Sequence, residues 1–173
     1  MNWKNNKVLV TGGASFIGSH LTEQLIELGA KVRIADNFSS GEKSYVKSLD
    51  CEILEGDLLN PGFCNQVTDG IETVFHLAAD HGGRGYIDAH QVECSTNMIL
   101  DGQVFRHAHR NGVEKIIFAS SGCVYPTSAQ MDVSKEVFLF EGMVKPPYEA
   151  DDLYGWAKLM AELTLKAYHQ QLG

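Results

Sequence analysis

Two ionisable side chains near the end of the sequence have a spacing that suits proton transfer. Tyr154 and Lys158 lie four positions apart in the segment YGWAK, so a helix would place them one turn apart on the same face. A free tyrosine has a pKa near 10, and a nearby ammonium group favours its phenolate form. Such a pair can take the proton of an alcohol while a hydride leaves the same carbon. Because this spacing is also common on helix surfaces, its meaning depends on its surroundings.

The segment ASSGCVYP, residues 119–126, places two serines, a cysteine and a tyrosine at the end of a predicted strand. The apolar run before it is typical of a buried strand that opens into a loop. A free cysteine such as Cys123 is often only a small buried side chain, so by itself it indicates packing as readily as chemistry. The segment is nevertheless a candidate neighbour for Tyr154, because both follow the last predicted strand.

A glycine-rich turn, VTGGASFIG at residues 10–18, joins the first predicted strand to the first predicted helix. In this context glycines indicate a dinucleotide site. Gly12 and Gly13 would allow a tight turn, and Gly18 would let the helix pack close to the sheet. The free N–H groups of the helix would face a pyrophosphate. Ser15 occupies the middle position, where a second glycine is usual, and its hydroxyl is expected to reach a phosphate oxygen.

Asp36 closes the second predicted strand, 18 residues after Gly18. A carboxylate at this position accepts hydrogen bonds from the adenosine ribose and repels a 2′-phosphate. Because the next basic residue is Lys43, the sequence favours NAD over NADP. Asp57 ends the third predicted strand with Leu58 beside it, and both are predicted to lie at the adenine edge.

These candidates are connected by a regular alternation of short apolar runs and longer amphipathic ones. Strands are predicted at residues 7–11, 31–36, 51–57, 72–79 and 114–120. Helices are predicted at 16–29, 86–110 and 152–170, with an irregular loop at 122–150. The alternation favours an α/β fold of the Rossmann type, a doubly wound parallel sheet in a three-layer α/β/α arrangement.

The composition argues against several classes of partner. The 173 residues are 44% apolar and carry a net charge of −8, so the chain would repel nucleic acid and anionic membranes. The sequence has no apolar run of about 18 residues and no signal-peptide start, which predicts a cytoplasmic protein. Its four cysteines are scattered, which predicts reduced thiols, and no metal site is expected.

Taken together, TGGASFIG, Asp36, GD at 56–57, HLAA at 76–79, SSGCVYP and YGWAK resemble the extended short-chain dehydrogenase/reductases, and among them the NAD-dependent nucleotide-sugar epimerases and dehydratases. The resemblance implies NAD as cofactor, a nucleotide sugar as substrate and Ser121, Tyr154 and Lys158 as the catalytic set. It also implies that Asn97 lies near the active site. The expected cofactor contacts are Gly12, Gly13, Ser15, Phe16, Ile17, Gly18, Asp36, Asn37, Asp57, Leu58, Leu77, Ala78, Ala79, Asn97, Tyr154 and Lys158.

Two segments narrow the resemblance without fixing the substrate. AADHGGRGYI, residues 78–87, is similar to the glycine-rich substrate loop of GDP-mannose 3,5-epimerases, and SSGCVYP is similar to their serine and cysteine loop. The likeness implies that Cys123 is an acid/base group beside a keto carbon. The implied substrate contacts are Gly82, Gly83, Arg84, Ser121 and Cys123. Because the loop at 127–150 matches those enzymes less well, a UDP-glucose 4-epimerase-like activity stays open as an alternative.

Members of this family continue well past the helix that carries the tyrosine and lysine. The resemblance therefore implies that residues 1–173 are an NAD-binding Rossmann domain, the N-terminal part of a longer enzyme, lacking the C-terminal substrate domain. It also implies a homodimer formed through the helices near 86–110 and 152–170. Two further functions stay open, a non-catalytic NAD-binding protein and a plain reductase that consumes NADH.

Overall fold

Five parallel strands form a single sheet in the computed structural model, which describes residues 3–132, 134 and 136–173. The strands are β1 (Lys7–Thr11), β2 (Lys31–Asp36), β3 (Glu52–Glu55), β4 (Thr73–His76) and β5 (Lys115–Phe118). Their order in the sheet is β3-β2-β1-β4-β5, and every neighbouring pair is parallel. This confirms the predicted doubly wound topology, although β3, β4 and β5 are shorter than the apolar runs that predicted them.

Seven α-helices accompany the strands in the described part of the chain. They are α1 (Phe16–Glu27), α2 (Lys43–Val46), α3 (Pro61–Thr68), α4 (Arg84–Ala89), α5 (Gln91–Ser95), α6 (Asn97–Arg110) and α7 (Asp152–Leu172). The segment 122–150, predicted as an irregular loop, contains three short 3₁₀ turns at Gly122–Val124, Thr127–Gln130 and Glu141–Met143. Among the described residues, none of the helices is both long and apolar enough to cross a bilayer.

The single helix predicted at 86–110 is wrong, because the structure divides this segment into α4, α5 and α6. His90 leaves the helical conformation, with φ −124° and ψ 49°. Its ring stacks on Tyr86 at 4.1 Å between centroids, and its Nδ1 lies 2.9 Å from the Tyr86 carbonyl oxygen. At the second break, the Thr96 hydroxyl donates to the Glu93 carbonyl. Side-chain bonds of this kind compete with the helical backbone, which explains both breaks.

The contacts divide the chain into two compact units. The first contains residues 1–79 and 102–119, and therefore the whole sheet with α1, α2 and α3. One face of this sheet packs Val8, Val10 and Ile34 against Leu25 of α1 and Val46 of α2. On the opposite face Phe105 of α6 meets the ring of His76 edge-on at 5.6 Å. Helices therefore cover both faces of the sheet within this unit, as a doubly wound fold requires.

A buried polar contact joins the carboxyl ends of β1 and β4. The Thr11 hydroxyl oxygen accepts the N–H groups of Leu77 at 3.1 Å and Ala78 at 3.2 Å. It also lies 2.6 Å from Nδ1 of His76, a fully buried ring. Since both amides donate to this oxygen, the hydroxyl proton is the one that bridges to His76, whose Nδ1 is therefore an acceptor. The network fixes the segment after β4 beside the glycine turn.

Candidate active site

The glycine turn between β1 and α1 is packed too tightly for side chains. Gly12 has a φ of +66°, and a Cβ on it would lie 2.9 Å from the Ala78 amide nitrogen. A Cβ on Gly18 would lie 2.2 Å from the Gly12 carbonyl oxygen. Gly18 thus lets α1 approach the turn itself, a closer partner than the sheet that the sequence suggested. The turn leaves the start of α1 open, with Phe16 and Ile17 70% and 68% exposed.

Ser15 caps helix α1, which differs from the phosphate contact predicted for it. It is the N-cap of α1, and its hydroxyl oxygen accepts the Gly18 N–H at 3.1 Å. The same hydroxyl donates its one proton to the Gly12 carbonyl at 2.7 Å. A phosphate oxygen would have to compete with that carbonyl, so the backbone N–H groups of the first turn are the better donors.

Asp36 ends β2 and lies against the glycine turn. Its carboxylate is 8% exposed and accepts the Ala14 N–H at 2.9 Å and the Phe38 N–H at 2.8 Å. A Cβ on Gly41 would lie 2.9 Å from the same carboxylate. The cation of Lys43 contacts Glu55 at 2.6 Å and the Phe38 ring at 4.7 Å. Asp36 is thus held rigidly, and Lys43 is engaged by other groups.

The remaining predicted cofactor contacts of this unit divide into exposed and buried groups. Asn37 and Asp57 are exposed, and each accepts a backbone N–H two residues further on, at 3.0 Å from Ser39 and 2.8 Å from Leu59. Leu58 is 4% exposed, so its side chain belongs to the core and only its backbone could reach an adenine. Three half-buried residues follow β4 beside the turn, namely Leu77, Ala78 and Ala79.

The second unit, residues 80–101 and 120–173, contains all four predicted catalytic side chains. Tyr154 and Lys158 share one face of α7, as their spacing predicted, and are 9% and 2% exposed. The ammonium nitrogen of Lys158 lies 5.9 Å from the centre of the Tyr154 ring. Ser121 donates a hydrogen bond to the Tyr154 phenol, and its own oxygen accepts the Cys123 N–H at 3.1 Å.

Gly155 allows α7 to approach the turn next to Ser121. The start of α7 lies directly against the 3₁₀ turn at Gly122–Val124, where the Asp151 N–H donates to the Cys123 carbonyl at 2.8 Å. A Cβ on Gly155 would lie only 2.4 Å from that carbonyl oxygen. Gly155 was not predicted as a site residue, although a glycine beside the tyrosine in a helix interior is the signal that could have identified it.

Burial has the largest effect on the pKa values of Tyr154 and Lys158. It raises the pKa of the Tyr154 phenol, the neighbouring Cys123 raises it further, and the hydrogen bond from Ser121 lowers it. Burial also lowers the pKa of Lys158, against the attraction of the Asp101 carboxylate. The pKa of the Tyr154 phenol is therefore raised, because desolvation of the phenolate is the largest contribution.

Asn97 holds a loop, and among the described residues none of its hydrogen bonds goes to Tyr154. Its fully buried amide donates to the Asp80 carbonyl at 2.8 Å and accepts the Asp80 N–H at 2.7 Å. Tyr86 donates to the Asp80 carboxylate at 3.0 Å. Sequence reasoning missed Asp80, Tyr86 and Asp101, because only the tertiary structure brings them beside the predicted residues.

The glycine segment before α4 has one constrained glycine and a strongly paired arginine. A Cβ on Gly82 would lie 2.6 Å from the Tyr86 side chain, whereas Gly83 has open space around it among the described atoms. Arg84, a predicted substrate contact, forms ion pairs with Asp88, Asp151 and Asp152. A diphosphate would therefore have to compete with three carboxylates for this guanidinium group.

A cleft of about 570 Å³ opens beside Ser121 and is lined by Tyr125, Tyr148, Glu162 and Lys166 among others. This volume falls in the range of small-molecule sites. Neither Tyr154 nor Lys158 lines it, so the cleft does not by itself mark the position of a reacting carbon. Over the described part of the chain, no group of three His, Cys, Asp or Glu side chains is arranged to hold a metal ion.

Comparison with known proteins gives a consistent result. Residues 8–173 match the model of the NAD dependent epimerase/dehydratase family. GDP-mannose 3,5-epimerase from Arabidopsis thaliana is 34% identical over 98% of this chain and 45% of its own length. The chain therefore spans about half the length of the curated relatives it matches.

Solved structures agree with the fold. An epimerase from Methanothermobacter thermautotrophicus superposes with a TM-score of 0.82 at 30% identity, covering 98% of this chain and 49% of its own. UDP-glucose 4-epimerase from Brucella ovis, solved in complex with NAD, has a TM-score of 0.80 at 27% identity, covering 96% of this chain and 48% of its own.

Replacing Gly155 with alanine tests the close approach of α7. We expect Gly155→Ala to lower the free energy of unfolding by about 1–3 kcal/mol, because the new methyl group must displace the Cys123 carbonyl. The matched control is Gly102→Ala in α6, where a Cβ meets nothing within 4 Å among the described atoms. That change should stabilise the helix by about 1 kcal/mol. Urea unfolding measures both, and equal midpoints for the two variants would contradict the packing described.

Proposed function

Because this chain belongs to the NAD-dependent epimerase/dehydratase family, we propose that it is the NAD-binding part of a longer enzyme that acts on a nucleotide sugar. The observation that carries the proposal is the set of Ser121, Tyr154 and Lys158, in which the hydroxyl of a half-buried serine donates to a buried phenol on the same helix face as a buried ammonium group. Binding a dinucleotide would not need this set. Oxidation of an alcohol does need it, because a proton must leave as the hydride departs.

The residues of the first unit fit a dinucleotide. Gly12 and Gly18 keep the turn free of side chains, and the open start of α1 presents backbone N–H groups suited to a pyrophosphate. Asp36, fixed by two backbone N–H groups, has the charge and position to accept bonds from the adenosine ribose and to repel a 2′-phosphate. NAD is therefore the proposed cofactor, and its oxidised nicotinamide supplies the hydride acceptor when bound.

In the proposed reaction the Tyr154 phenolate takes the proton of a sugar hydroxyl while the C–H bond of the same carbon gives up a hydride, leaving a ketone. Ser121 donates to the phenol oxygen and stabilises the phenolate. Burial opposes that phenolate in the free chain, so Tyr154 becomes a base only when more positive charge is brought near it. The ammonium group of Lys158 supplies part of this charge and would bind the nicotinamide ribose.

Cys123 is the proposed acid/base group for inversion at a carbon next to the transient ketone. It is half-buried and packs with Tyr154, Ile87 and Cys94 in one apolar cluster. A ketone acidifies the neighbouring C–H bond, so a thiolate can remove that proton from one face of the ring. A second acid must return a proton on the other face for the centre to invert.

The substrate proposed first is GDP-mannose, supported by the likeness to the Arabidopsis enzyme and by Gly82 and Gly83 in the loop beside Tyr86. A UDP-glucose 4-epimerase-like reaction is the alternative, and it needs Tyr154 and Ser121 but no role for Cys123. A non-catalytic NAD-binding protein is the second class of function. The four free cysteines fit a reducing compartment, and we propose a cytoplasmic location.

Nucleotide-sugar-dependent reduction of bound NAD tests the reaction. We expect the NAD-loaded longer enzyme, of which this chain is the proposed NAD-binding part, to show reduced-nicotinamide absorbance on addition of excess GDP-mannose, at most about one equivalent per active site because the hydride is returned. Residues 1–173 alone should hold NAD but give little or no signal. Tyr154→Phe should hold NAD and lose the signal. Cys123→Ser should keep the signal and lose exchange of a ring hydrogen with solvent deuterium.

The other outcomes of this experiment select among the alternatives. A signal with UDP-glucose alone would favour the 4-epimerase-like reaction. Tight NAD binding by the longer enzyme without a signal from either sugar would overturn the catalytic proposal in favour of the binding protein. Steady consumption of NADH with a simple carbonyl compound would identify a plain reductase.

A homodimer through α5, α6 and α7 is supported by large apolar side chains at the surface of these helices. Val92, Ile99 and Met160 are 75%, 58% and 45% exposed. Ile99→Lys should therefore shift the chain to a monomer in sedimentation experiments, because a charge would be buried in the interface. Leu28→Lys, a change at a 57% exposed site in the other unit, is the control and should leave the dimer intact. A wild-type monomer at high concentration would contradict the proposal.

A further inference from the structure

The first turn of α7, which carries Tyr154, lacks the side-chain cap that usually begins a helix. Asp151 occupies the N-cap position, yet its carboxylate makes no capping hydrogen bond with the described residues. Asp152 follows with a φ of +50°, a left-handed conformation that costs energy for any residue with a side chain. The helix therefore begins at a strained position without local support.

Groups from other segments supply that support. The Leu153 N–H donates to the side-chain oxygen of Gln91 in α5 at 2.9 Å. The Asp151 N–H donates to the Cys123 carbonyl at 2.8 Å. N–H groups at and next to the helix start, which a local cap would normally serve, are thus satisfied by tertiary contacts.

Arg84 uses the carboxylate that would otherwise be available as the cap. Its Nη1 contacts one oxygen of Asp151, and its Nη2 lies 3.4 Å from the other oxygen, so the pairing involves both oxygens. Nη2 also lies 3.5 Å from Asp152, and Nε lies 2.9 Å from Asp88 in the next turn of α4. One guanidinium group thus ties α4 to the two residues at which α7 begins.

We propose that Arg84 is a positioning residue that holds the first turn of α7, and with it the phenol of Tyr154, against the turn at residues 122–124. The inference rests on the role of Tyr154 in the proposed function and assigns Arg84 a different task from binding a diphosphate. Arg84 is 60% exposed at its side chain, and exposed ion pairs add little to global stability. The effect of Arg84 is therefore local, on the water exposure of the phenol.

The pKa of Tyr154, measured by NMR with ¹³Cζ-labelled tyrosine, tests this in the free chain. Tyr154→Phe assigns the resonance. We expect Arg84→Gln and Asp151→Ala each to lower the Tyr154 pKa, by about half a pH unit or more toward the ordinary value near 10, because a loosened turn admits water to the phenolate. Asp88→Ala removes a carboxylate that pairs with the same arginine but, among the described residues, forms no ion pair with α7, and it should leave the pKa unchanged.

The sign of the Tyr154 pKa shift in Arg84→Gln separates positioning from charge, whereas a lower pKa in Asp151→Ala is expected from either cause. Loss of the Arg84 charge alone would raise the Tyr154 pKa, and loss of the Asp151 charge alone would lower it. A rise in Arg84→Gln, or no change in either variant while both stay folded, would overturn the proposal. So would a shift of the Arg84 Nε resonance on adding inorganic pyrophosphate to the wild type, since that would mark an anion site. The readout needs neither cofactor nor turnover, so its failure is distinct from failure of the proposed function.

Discussion

The close approach of α7 to the turn at residues 122–124 is the constraint on which the arrangement of Ser121, Tyr154 and Lys158 depends. A helix can come this near to a carbonyl oxygen only where its own residue has no Cβ, and Gly155 meets that condition beside Tyr154. The approach buries the phenol and the Lys158 ammonium and brings Ser121 within hydrogen-bonding distance of the phenol. Burial then shifts the two pKa values in opposite directions, each toward the neutral form.

In the first unit, glycines likewise allow backbone segments to pack closely. Gly12 and Gly18 let three backbone segments meet at the end of β1, where a side chain on either residue would collide with backbone. The Thr11 hydroxyl closes this corner by accepting two N–H groups and bridging to His76. Asp36 is fixed from two sides by backbone donors. Rigid placement of donors and of one carboxylate is what discrimination between two similar dinucleotides requires.

Much of the fold could be predicted from the sequence because hydrophobic period and glycine position are local signals. β1 and β2 begin and end where their apolar runs predicted, and YGWAK lies on a helix as its spacing indicated. The helices α2 and α3 were missed because they are short, although Asn60 before Pro61 is a typical start for α3. The breaks at His90 and Thr96 depend on side-chain bonds that no periodicity displays. Three further contacts could not be predicted for the same reason. Ser15 donates its hydroxyl proton to the Gly12 carbonyl, Arg84 pairs with carboxylates, and the Asn97 amide donates to the Asp80 carbonyl.

Calorimetric titration of the wild-type chain with NAD and with NADP tests most directly whether the glycine turn and Asp36 form an NAD site. We expect NAD to bind at least about tenfold more tightly than NADP, a difference of about 1.4 kcal/mol, because the Asp36 carboxylate would bond the ribose hydroxyls and repel a 2′-phosphate. Equal affinity for the two dinucleotides, tighter binding of NADP, or no binding of either would contradict it.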